Sequence, residues 1–131
     1  MTKTRKLAPA RHAVYLKKAA EFERSMGDAA LREDWNAVGL NAVHAVISAA
    51  DAMTAFYLGE RSVGGSHLDV IALLRQLPLD DAKERAQQAA QVIHEKNVVE
   101  YEDVDFDEKS AARIEKQAVR FLEWARLKLR A

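Results

Sequence analysis

Apolar side chains recur at spacings of three and four along nearly the whole chain, and that period admits one class of fold. Tyr15, Ala19, Phe22, Met26 and Ala29 share one helical face. The register passes through Gly27, which weakens a helix without ending it. A proline in the first turn is compatible with a helix start, so a first helix is predicted from near Pro9 to about Arg32. Asp34 is a plausible N-cap for a second helix, Trp35 to Leu58, and Gly59 a plausible stop. Trp35, Gly39, Ala42, Val46, Ala49, Met53 and Phe56 form one stripe on that helix, and Leu40, Val43, Ile47 and Tyr57 form another. A helix apolar on two faces needs cover on both. A second copy of the chain is the predicted cover for the second stripe.

The remaining punctuation fits the same pattern. Ser66, with Asp69 three residues on, resembles a capping box ahead of a short apolar helix that Pro78 ends. Asp80 or Asp81 opens a fourth helix with Ala82, Ala86, Ala89 and Ile93 inward. Asp107 can cap a last helix that buries Ala111, Ile114, Ala118, Phe121, Leu122, Ala125 and Leu129. No alternating strand pattern or internal repeat competes. The predicted fold is therefore all-α, an antiparallel up-down bundle of about five helices. At 131 residues, 49% of them hydrophobic, the chain supports one core. Residues 1–8 are predicted to be a flexible basic tail, and residues 9–131 a single helical domain.

Composition removes several chemistries. Cysteine is absent, which excludes disulfides, thiolate zinc sites and thiol nucleophiles and fits a reducing cytoplasm. Neither an apolar signal core nor a run of about 20 apolar residues is present, so a soluble, cytoplasmic protein without membrane contact is expected. The formal charge is zero, but Lys3, Arg5, Lys6, Arg11, Lys17 and Lys18 precede the first acidic residue, and Glu100, Glu102, Asp103, Asp105, Asp107 and Glu108 form an acidic block. No Gly-Lys-Ser/Thr follows Gly64-Gly65, so no phosphate loop is read there. His12, His67 and His94 are read as structural.

Two groups of residues are candidates for a site. On the second helix, Asn41, His44, Ser48 and Asp51 fall at spacings of three, four and three, making a polar seam between the stripes. Buried polar groups need partners. A neighbouring helix can supply them, or Lys96 or Asn97 can, with Asp51 orienting the cation. His44 and Asp51 are too sparse for a metal site, and no cofactor is implied. The second group is Glu95-Lys96-Asn97-Val98-Val99-Glu100-Tyr101, which crowds a cation, an amide, a phenol and two carboxylates at a helix end. Five residues of ideal helix turn through about 500°, so Lys96 and Tyr101 converge only if the helix unwinds or if two subunits contribute. Lys96, Asn97 and Tyr101 can alternatively cap and pack the end of the bundle.

The segment from Trp35-Asn36-Ala37 to Asp51-Ala52-Met53, the loop Gly59-Glu60-Arg61-Ser62 with His67, and Lys96-Asn97-Val98-Val99-Glu100-Tyr101 together resemble a HEPN domain, the helical bundle of prokaryotic defence and toxin–antitoxin systems. The resemblance implies a homodimer in which two copies of the Lys96–Tyr101 segment face each other across a cleft. Catalytic members are metal-independent endoribonucleases with an arginine, a polar residue and then a histidine. By resemblance Lys96 takes the arginine position, Asn97 the polar position and Tyr101 the histidine position. A phenol with an ordinary pKa of about 10 is a poor base, and lysine lacks the bidentate guanidinium fork. The resemblance thus implies a non-catalytic dimeric module that contacts RNA, a nucleotide or a nucleotidyltransferase-type partner. A metal-independent endoribonuclease with a variant site, His44 supplying the base in one version, and a purely structural dimer are the alternatives. The tyrosine that is nucleotidylated in some members falls on Asp103 here.

Overall fold

The computed structural model describes residues 3–63, 67–101 and 105–130, with side chains throughout those ranges except at 96–101. Five α-helices make up most of it: α1 (His12–Leu31), α2 (Trp35–Leu58), α3 (Leu68–Leu74), α4 (Ala82–Tyr101) and α5 (Glu108–Leu129). A 3-10 turn, Pro9–Arg11, leads into α1, so the helical entry begins at the predicted proline. The all-α fold class expected from periodicity is the one observed. No described helix is long and apolar enough to cross a membrane.

Helix α2 is the axis of the molecule. It packs most extensively on α1, then on α5 and α4, and least on α3. Val38, Ala42, Val43, Ala45, Val46, Ala49, Ala52 and Met53 are all essentially inaccessible. The second stripe is covered in part by the same chain. Val43 is fully buried, Leu40, Ile47 and Tyr57 are half-buried, and the Tyr57 hydroxyl donates to the carbonyl of Lys128 on α5 at 2.7 Å. Alanines on α2, α4 and α5 leave room for three helices around the fourth.

Local signals explain most helix ends. Gly59 ends α2 in the left-handed conformation, at φ 68°, and its amide reaches back to the carbonyl of Ala55 at 3.1 Å. Asp107 accepts a 2.7 Å hydrogen bond from the Ser110 amide and caps α5 as predicted. Between α1 and α2, Glu33 adopts φ 60° while the amides of Glu33 and Asp34 bond to the carbonyls of Ala30 and Ala29. That double bond pattern closes α1, and it usually has glycine at the left-handed position. Asp34 stands at the N-cap of α2, but its side chain makes no capping bond. Helix α3 starts after His67, which makes no side-chain cap, and it stops at Leu74. The residue before a proline avoids the helical region, so the turn ahead of Pro78 begins early. Ser66, the predicted cap, lies outside the described residues.

The tail prediction also needs correction. Thr4–Lys6 form a short strand, β1, that pairs antiparallel with β2, Glu60–Ser62, in the register Thr4↔Ser62, Arg5↔Arg61 and Lys6↔Glu60. The Leu7 amide to the Gly59 carbonyl, 2.8 Å, and the Val63 amide to the Lys3 carbonyl, 3.1 Å, extend the ladder at both ends. Three-residue polar strands show no alternation, which is why periodicity alone does not reveal them.

Candidate functional site

The turn at Gly59 decides where Arg61 goes. The chain leaves α2 at Gly59, enters β2 and is clamped there by β1, so Arg61 is held beside the last turns of the helix it has just left. Its Nε lies 3.8 Å from Asp51 Oδ2. Asp51 is one of few buried polar side chains, and its 8% residual exposure opens into a cavity of about 500 Å³ between α1 and α2. Ser48, one turn earlier on α2, is buried on the same wall.

Helix α1 builds the opposite wall from the half-buried Tyr15 and Phe22 and the exposed Lys18, Glu21 and Ser25. The Arg61 guanidinium carbon is 5.2 Å from the centre of the Tyr15 ring, and Lys18 Nζ is 5.4 Å from the same centre. Both distances suit cation–π attraction. Arg61 Nη1 also donates to the Tyr15 hydroxyl at 3.4 Å. Arg61 is nevertheless under-used. Its Nε is buried without a hydrogen-bond partner, since 3.8 Å is too long for a hydrogen bond to Asp51.

Burial governs the chemistry of Asp51. Loss of hydration pushes its carboxyl from the ordinary 3.8 up to about 6, and the nearby charges of Arg61 and Lys18 pull it back only in part. A carboxyl that changes charge so close to neutrality, inside a polar cleft, is a candidate functional group.

The predicted residues separate into two places. Asp51 and Ser48 line the α1–α2 pocket, with Arg61 as a cation beside Asp51. His44 lies two turns earlier on α2, stacked on Phe22 of α1 with ring centres 5.2 Å apart. Asn41 turns its amide back to the Ala37 carbonyl of its own helix, 2.9 Å away. The side chains of Lys96, Asn97 and Tyr101 lie outside the described residues. Helix α4 continues unbroken through Tyr101, so backbone positions 96 and 101 stand about 140° apart around its axis. A second groove of about 500 Å³ runs between α4 and α5 and reaches Glu95, which pairs with Arg113 at 3.7 Å; Gln87, Gln91, His94 and Gln117 line it together with Ala90, Val92 and Ile114. Among the described residues no three His, Asp or Glu side chains gather as a metal site.

Arg61, Lys18 and Tyr15 are absent from the candidates chosen by sequence. The available signal was the seam itself, because Asp51 on a helix with two apolar stripes requires a cation nearby. Comparison with known proteins adds nothing to this geometry: no family model, curated protein or solved structure matches the chain.

Proposed function

We propose that this chain is a HEPN-like helical module that acts by binding rather than by cleavage. In this reading two copies pair so that their α4 ends share a groove, which contacts RNA, a nucleotide or a nucleotidyltransferase-type partner in a prokaryotic toxin–antitoxin or defence setting. The observation that carries it is the unbroken course of α4 from Ala82 to Tyr101. A continuous helix keeps positions 96 and 101 on different sides of one chain, so a site that uses Lys96, Asn97 and Tyr101 together draws them from two copies. The residue types favour holding over cutting, because lysine offers a point charge to a phosphate and tyrosine is a poor base. The α4–α5 groove, with its glutamines, His94 and Arg113, supplies polar contact surface that leads to this end of α4.

Sedimentation equilibrium, combined with fluorescence anisotropy of labelled single-stranded RNA and of a labelled nucleotide, tests the reading. A dimer whose affinity falls on Lys96→Ala while the RNA stays intact supports it. Metal-independent cleavage in chelator, abolished by Lys96→Ala or Tyr101→Ala, replaces it with the variant endoribonuclease. A monomer with no affinity for either probe leaves only the scaffold.

A further inference from the structure

The pocket between α1 and α2 stands apart from the α4 end, and its chemistry points to a different ligand. Its charged lining is balanced. Lys18 and Arg61 supply two cations, Asp51 and Glu21 supply two carboxylates, and Tyr15 and Ser48 add hydroxyls. At about 500 Å³ it has the size of a small-molecule site. A simple anion entering it meets Asp51 and Glu21, and a simple cation meets Arg61 and Lys18. A molecule carrying both charges avoids either conflict, since charges a few ångströms apart in a half-buried cleft interact strongly.

We propose that this pocket binds a small zwitterion of the free α-amino acid class, its carboxylate on Arg61 and Lys18 and its ammonium on Asp51. Two further observations support that orientation. Arg61 holds donors in reserve: its contacts to Asp51 and the Tyr15 hydroxyl are both long, at 3.8 and 3.4 Å, and its side chain keeps 30% exposure toward the cavity. A guanidinium in that state is ready for the two oxygens of a carboxylate. Asp51 faces Arg61 through one oxygen at a distance too long for a hydrogen bond, so it retains acceptor capacity for a ligand N–H. Phe22 and Tyr15 offer apolar and aromatic surface to the ligand's side chain. The site does not depend on dimerisation or on Lys96, so it stands or falls separately from the function proposed above.

Acid distinguishes a zwitterion from a plain anion. The charged groups around Asp51 are Arg61 from β2 and Lys18 and Glu21 from α1, while His44 lies two turns away on α2 and Arg5, opposite Arg61 across the ladder, is exposed. An ammonium needs Asp51 ionised, and its affinity falls as pH drops through about 6. An anion repelled by Asp51 behaves the opposite way.

The test is calorimetric titration of the full chain at neutral pH and near pH 5 with the common α-amino acids. For each amino acid that binds, the N-acetyl and carboxamide derivatives and inorganic phosphate follow. We expect at least one free amino acid to bind, with both blocked forms about tenfold weaker or worse and with weaker binding in acid. Asp51→Asn and Lys18→Met should each weaken it by about tenfold or more while near-ultraviolet circular dichroism reports an intact fold. Absence of binding across the panel overturns the proposal. So does tighter binding of phosphate or of the N-acetyl form, or affinity that rises in acid.

Discussion

Replacing Asp51 with asparagine removes a charge from a place where ionisation opposes folding. The carboxyl titrates at about 6 in the folded chain against an ordinary 3.8, and the attraction of Arg61 and Lys18 is already contained in that difference. At about 1.4 kcal/mol per pH unit, the ionised form costs the native state about 3 kcal/mol. Because the folded pKa is the higher one, Asp51 favours folding fully below 3.8, and that contribution is lost as pH rises through about 6. Asparagine keeps the shape and remains neutral throughout. Asp51→Asn should therefore be more stable than the parent by up to about 3 kcal/mol at neutral pH, with the gain shrinking toward zero near pH 4. Urea unfolding of both proteins across that range measures the difference directly, and subtraction removes the titration of every other group. A gain of nothing at neutral pH, or one that does not vary with pH, refutes the reasoning. A carboxyl retained against stability in this way is expected where binding requires the charge.

Other consequences of the fold are open to measurement. Glu33→Gly relieves a left-handed non-glycine residue at the end of α1 and should raise stability by about 1 kcal/mol in the same unfolding assay. Deleting residues 1–7 removes β1 and the clamp on Gly59, so amide exchange should accelerate at Glu60–Ser62 while the α2 core stays protected. Asp107→Ala removes the α5 cap and should lower the melting temperature at neutral pH. The Ser110 amide and hydroxyl hold the Asp107 carboxyl below its ordinary range, so the difference from the parent should disappear as pH falls through that lowered value.

The features legible in the sequence are those determined by neighbours in the chain. Gly59 stops α2 and Asp107 caps α5 because a left-handed turn and a side-chain cap are local devices. The inward faces of α4 and α5 follow from spacing alone, and Ala86, Ala89, Ala118 and Phe121 are buried as the period requires. What escaped depends on residues distant in sequence. The pairing of Thr4–Lys6 with Glu60–Ser62 joins two polar triplets across more than fifty residues, and without it nothing directs Arg61 to Asp51. The cover of α2's second stripe depends on how closely alanine faces let α1, α4 and α5 approach. Trp124 shows the same limit: it is buried on α5 with its indole N–H donated to Asp81 at 3.0 Å, a tertiary bond that helical spacing does not encode.

The proposed site requires Asp51 to be a buried carboxyl poised near neutrality within reach of a ligand. Carbon-detected nuclear magnetic resonance of its carboxyl through a pH titration tests this most directly. A midpoint near 6 is expected in the free protein, and a lower one when a bound amino acid presents its ammonium. A midpoint at the ordinary 3.8 that no amino acid moves would contradict the proposed site.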